Sequence, residues 1–184
     1  SMDNEVIYGS HALTYLAGEN GAIQGDSPQT VFYSHDGAAV TAAPAEGYHF
    51  VNWSDGRTDN PRTDVNVTGD ITVMANFAIT AYTLTYSAGA NGTIAGATPQ
   101  AVNHGSDGAS VTAEPAVGYH FTDWSDGRTD NPRVDVSLTA DMAVTANFAI
   151  NVYTLTYTPG ENGAITGPLS QSVPHGSDGA SAHA

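Results

Sequence analysis

Along most of this chain apolar and polar residues alternate with a period of two, the pattern of short strands that bury one face. Leu13 and Tyr15 alternate with Thr14, Val31 sits among polar neighbours, and Val65 and Val67 alternate with Asp64 and Asn66. Turn-forming residues interrupt these runs at Gly18-Glu19-Asn20-Gly21, Asp36-Gly37, Glu46-Gly47, Asp55-Gly56, Asn60-Pro61 and Gly69-Asp70, each suited to a tight reversal. No amphipathic helix of about ten residues fits between such breakers. The alanine-rich stretch from Gly37 to Ala45 is the one place for a short helix, and Val40-Thr41 with Pro44 argues for a strand there too.

The pattern is also repeated at long range. The segment Trp-Ser-Asp-Gly-Arg-Thr-Asp-Asn-Pro-Arg begins at Trp53 and again at Trp124, 71 residues on, and the same offset carries Leu13-Thr14-Tyr15 to Leu84-Thr85-Tyr86 and to Leu155-Thr156-Tyr157. Most aligned positions of the two complete copies are identical, which predicts a modular array rather than a solenoid of short coils. The reading divides the chain into an expression scar and leader at 1–11, modules at 12–81 and 82–152, and a partial third repeat at 153–184. About six strands are expected per module. From Ala75 to Tyr86 there is neither Gly nor Pro, so the last strand of one module should run almost directly into the first of the next through a short, stiff linker.

The third copy keeps the opening hairpin signal but has no counterpart of the tryptophan segment or of the final strand. Pro174, Ala182 and His183 stand where the second copy has Asn103, Val111 and Thr112. It is therefore not expected to complete the same fold, and an unpaired edge there would invite pairing between chains.

Composition narrows the function. The 184 residues carry a formal charge of −15 with a pI near 4.3, and only 40% are hydrophobic and 9% aromatic, so the cores must be built from alanine and β-branched side chains. The acidic excess opposes binding to nucleic acid or to an anionic membrane surface. No apolar run is long enough to span a bilayer. The four cations are Arg57, Arg62, Arg128 and Arg133, with no lysine and no cysteine. That excludes disulfides, a catalytic thiolate, a lysine Schiff base and a lysine–asparagine cross-link.

The arginines all fall in the tryptophan segment, beside Asp55, Asp59 and Asp64 in the first copy and Asp126, Asp130 and Asp135 in the second. The leading reading is a structured loop in which arginines pair with carboxylates or reach carbonyl oxygens. A calcium site is the alternative, since Asp55, Asp59, Asn60 and Asp64 offer hard oxygen ligands, although the spacing is not that of an EF-hand and the arginines oppose a cation. Trp53 with Tyr48, and Trp124 with Tyr119, form a candidate sugar platform together with Asp55, Arg57, Asp126 and Arg128. The competing expectation places these scarce aromatics in the core. Strict alternation sets Tyr48 and Phe50 on one face and His49 and Trp53 on the other, unless a bulge intervenes.

Other chemistry has little support. His49 and His120 repeat, but no second histidine stands at metal-ligand spacing, so no metal or cofactor is expected. The acidic residues occupy turn positions, and there is neither a phosphate loop nor a nucleophile elbow. No catalytic residue is expected.

The ordered motifs Leu84-Thr85-Tyr86 to Gly89, Asn91-Gly92-Thr93-Ile94, Val111-Thr112-Ala113, Gly118-Tyr119-His120-Phe121, Trp124-Ser125-Asp126-Gly127, Asn131-Pro132-Arg133 and Val144-Thr145-Ala146-Asn147-Phe148 resemble the divergent internalin B-repeat family, relatives of the Listeria/Bacteroides repeat. The resemblance covers both modules and the opening of the third. It implies mostly-β, β-grasp-like modules in tandem within secreted or surface-anchored bacterial proteins, where such repeats serve as spacers, stalks or adhesion modules. It supplies no catalytic residues. The alternative reading, a binding module acting through Trp53, Trp124 and the surrounding loop, has a surface glycan or a host or neighbouring protein as its partner.

Overall fold

The computed structural model describes residues 9–184, and none of these is helical; positions 1–8 of the scar and leader reading lie outside them. Two compact units are resolved by their contacts. One runs to Ala81 and takes in Asn103–Gly105, and the other comprises Tyr82–Val102 and Ser106–Ala184.

The first unit holds β1 (Ser10–Ala17), β2 (Gly21–Gln24), β3 (Gln29–Phe32), β4 (Thr41–Pro44), β5 (Tyr48–Trp53) and β6 (Ile71–Ile79). Its main sheet has the order β3-β1-β6-β5, with β2 and β4 forming a separate ribbon. The first and last strands lie parallel at the centre, pairing Leu13 with Ile71 and Tyr15 with Val73, while the outer strands are antiparallel to them. This is the strand order of a β-grasp sheet, formed here without a helix among the described residues. A parallel central pair needs a long crossover, and strands β2 to β5 with the tryptophan segment make up that crossover.

Sequence explains the faces. In β1 Leu13 and Tyr15 are buried while Ala12, Thr14 and Leu16 are more exposed, and in β6 Val73 and Ala75 are buried between exposed Thr72, Met74 and Asn76. The core joins Leu13, Tyr15, Val40, Trp53, Val73 and Ala75, with Phe50 and Phe77 against its side. Around the single indole, small side chains such as Val40, Ala42, Val73 and Ala75 complete the core.

The second unit repeats the plan with β7 (Ala81–Ala88), β8 (Gly92–Ala95), β9 (Gln100–Asn103), β10 (Thr112–Pro115), β11 (Tyr119–Trp124) and β12 (Met142–Ile150), in the order β11-β12-β7-β9 with ribbon β10-β8. The third repeat contributes β13 (Val152–Thr156) and β14 (Ser170–Pro174), an antiparallel hairpin, and one bridge between Thr166 and His183. Among the described residues β13 has no parallel partner of the kind that β6 gives β1 and β12 gives β7.

Candidate functional site

The tryptophan segment starts at the end of β5, where the register against β6 shifts between Phe50 and Asn52. This bulge is the exception that strict alternation left open. It turns the Trp53 indole to the side of Phe50, with ring centroids 5.7 Å apart, rather than to the side of His49. Trp124 is rotated in the same way by the shift between Phe121 and Asp123. Both indoles are 0% exposed. The aromatic-platform reading is thereby corrected: a sugar cannot reach a ring enclosed by Tyr15, Phe50 and the core valines. Tyr48 and Tyr119 are half-buried.

Each indole is held on several sides. Trp53 Nε1 donates to the Asp59 carbonyl at 2.9 Å, Tyr15 meets the ring edge-on at 5.9 Å, and the Arg62 guanidinium lies over its face at 5.4 Å. Arg62 is itself buried, at 1% exposure. Its fork donates to Asp64 through Nε and Nη2, both at 2.8 Å, and Nη1 reaches Asp55 at 3.0 Å. Arg57 closes the rim by donating to both Asp59 oxygens, to Asp64 Oδ1 at 2.6 Å and to the Thr63 carbonyl at 3.0 Å.

Asp64 is the hub. It accepts two bonds from Arg62, one from Arg57 and one from the Tyr15 hydroxyl at 2.8 Å. A carboxylate has about four lone-pair positions, so this one is saturated. Burial alone would raise its pKa, but the bonds from Arg62 and Tyr15 outweigh that and hold it below the usual carboxylate range. Tyr15 is driven up by burial first and by its bond to the carboxylate second. No buried side-chain nitrogen or oxygen among the described residues lacks a partner.

The second copy reproduces the set. Arg133 grips Asp135 through Nε and Nη2 and Asp126 through Nη1 and Nη2; Arg128 bridges Asp130 and Asp135; Tyr86 donates to Asp135. Asp126 is brought down to about 2, chiefly by its hydrogen bond from Arg133. The structured-loop reading therefore describes both copies. The calcium alternative meets carboxylates already filled by guanidinium groups, and among the described residues no group of three His, Asp or Glu could hold a metal ion.

Asn60 has a different task. Its side-chain amide pairs with the Ala42 backbone in both directions, at 2.9 and 2.8 Å, and fixes the segment against β4. Asn131 does the same to Ala113. Sequence reading missed the roles of Tyr15, Tyr86, Asn60 and Asn131. A signal existed in the repetition of these polar residues beside apolar ones, but their partners lie up to 49 residues away.

The arrangement defines a class: a small all-β repeat whose twice-repeated loop serves its own core. Sequence comparison gives the family. A model of the divergent InlB B-repeat domain matches residues 11–81 and again 82–152, and the chain belongs to that family. Internalin H of Listeria monocytogenes serovar 1/2a (strain ATCC BAA-679 / EGD-e) is 34% identical over 99 residues, which is 52% of this chain and 17% of that protein. The match thus spans about a sixth of the relative's length. Among solved structures, Streptococcal High Identity Repeats in Tandem (SHIRT) domains 3-4 from cell surface protein align over 77% of this chain and 98% of that one, at 13% identity and a TM-score of 0.25.

Proposed function

We propose that this chain is a non-catalytic tandem-repeat segment of a secreted or cell-surface bacterial protein that spaces or presents another domain. The observation that carries this reading is that each complete module buries its one tryptophan and one of its two arginines, and pairs the other, on the rim, with its own carboxylates. Asp64 and Asp135, each filled by two arginines and a tyrosine, have no capacity left to move a proton or bind a metal, and repeating such a loop adds length rather than reactivity. Membership of a repeat family supports the same reading.

Adhesion to a glycan or to a host or neighbouring protein is the variant of this reading in which exposed positions take part, with Tyr48 and Tyr119 at its margin. Small-angle scattering tests the spacer role. A radius of gyration well above about 20 Å is expected; a value near the roughly 16 Å of a compact globule of this length would reject it.

A further inference from the structure

Within the second unit, a small joint ties the second module to the opening of the third repeat. Gly118, in the turn before β11, has a φ of +83°. A Cβ at this position would run into the imidazole of His175, which follows β14. Glycine is therefore required twice, by the left-handed backbone and by the ring above it. The backbone is stitched in two steps: Asn151 N–H donates to the Gly118 carbonyl at 2.7 Å, and His175 N–H donates to the Asn151 carbonyl at 2.8 Å.

The side chains reinforce this path. Asn151 Nδ2 donates to the Tyr119 carbonyl at 3.4 Å, which leaves its Oδ1 to accept from His120 Nδ1 at 2.9 Å and places a proton on that ring nitrogen. The Tyr153 ring tilts against the His175 ring at 6.1 Å. Thus a turn, a junction residue and a histidine of the third repeat meet at one point.

The same set recurs in the first unit, which takes in Asn103–Gly105. Thr80 N–H donates to the Gly47 carbonyl and His104 N–H donates to the Thr80 carbonyl, both at 2.8 Å. Gly47 has a φ of +79°, and a Cβ there would meet the His104 ring. Histidine follows glycine by 57 positions in both cases. A chance surface contact would not preserve the glycine, its positive φ, both backbone bonds and the imidazole together.

We infer that the Gly118-Tyr119-His120 turn is a socket for the histidine of the following repeat, so that the β13–β14 hairpin is seated in one orientation on the second module. This inference is independent of the spacer reading, since a seated joint would serve an adhesin equally well. It assigns a positioning role to Gly118, Asn151 and His175, and identifies the partner of the turn as the histidine that follows the strand paired antiparallel with the first strand of a succeeding repeat.

A double-mutant cycle tests it. In Gly118→Ala the added methyl strikes the ring but also strains the backbone, whereas in His175→Ala only the ring is lost; combining them cancels the strain common to both backgrounds. The readout is hydrogen exchange at the residue 175 amide, with Trp124 emission reporting that the second module remains folded. His175→Ala is expected to speed exchange about tenfold, and Gly118→Ala to have a much smaller further effect once the ring is gone. Unchanged exchange in His175→Ala, or fully additive effects, would overturn the socket. Should Gly118→Ala unfold the module, His175→Ala decides alone.

Discussion

The second module and the third repeat begin with nearly the same words and end in different physical states. Leu84 and Tyr86 on β7 are 0% and 2% exposed, while the equivalent Leu155 and Tyr157 are 36% and 37% exposed. Local sequence is the same Leu-Thr-Tyr in each. The difference lies in which strands cover them: β7 receives the parallel strand β12 and the indole of Trp124, whereas among the described residues β13 pairs only with β14. The ribbon follows the same rule. Phe148 on β12 lies over Gly92, where no Cβ would fit, and β8 pairs with β10; Gly163 has no such cover, and one bridge remains. A β-strand propensity is thus realised as a buried core only when distant segments cover it.

The strongest way to break the comparison is Trp124→Ala. Removing a fully buried indole is expected to cost about 3–5 kcal/mol and to drive the second module towards the exposure seen in the third repeat. Denaturation followed through far-ultraviolet circular dichroism measures that loss, while Trp53 reports the first module separately.

Arg133→Met comes next. It leaves Asp135 buried without its main counter-charge, and a loss of about 3–5 kcal/mol is expected. Arg128→Met, on the half-exposed rim, should cost at most about 1 kcal/mol. If both substitutions cost the same in denaturant titrations, the distinction between hub and rim fails.

Acid should separate the regions as well. Asp126 stands at about 2 because Arg133 bonds to it, and Asp55, Asp59, Asp64 and Asp135 are also lowered. A folded carboxylate with a depressed pKa contributes stability above its unfolded value, near about 4, and loses it as pH falls through the folded value. Denaturant midpoints of both modules are therefore expected to fall as the pH drops below about 4, in the second module on towards pH 2. The third repeat holds no arginine, and its hydrogen exchange should lack that slope once intrinsic rates are divided out.

Smaller effects sharpen the contrast. Tyr86→Phe deletes the hydroxyl that donates to buried Asp135 and should cost roughly 1–3 kcal/mol. Tyr157→Phe should stay within about 0.5 kcal/mol. The mildest probe is chemical ageing at the three Asn-Gly turns. The Gly163 nitrogen can attack the Asn162 side-chain carbonyl, releasing ammonia and giving a succinimide that water opens to aspartate or isoaspartate. Asn20 and Asn91 sit in braced turns, since Gly21 and Gly92 are covered by Phe77 and Phe148. Peptide mapping after mild alkaline incubation should find Asn162 converted first.

The sequence by itself determined the period-two strands, the six strands of each complete module, the helix-free character, the repeat and the turns, because these depend on local sterics and on side-chain alternation. It also led to the family. Even the alanine-rich stretch resolved as read, with β4 at Thr41–Pro44. The tertiary structure alone decided which way Trp53 and Trp124 face, since one bulged residue reverses a strand's phase and no local pattern announces it. It alone brought Tyr15 to Asp64 and made β1 and β6 parallel neighbours, contacts between segments about 50 residues or more apart. The proposed tryptophan site was lost, and a saturated arginine–aspartate hub found, for the same reason: alternation assigns a side chain to a face, but the partners that cover the face come from elsewhere in the chain.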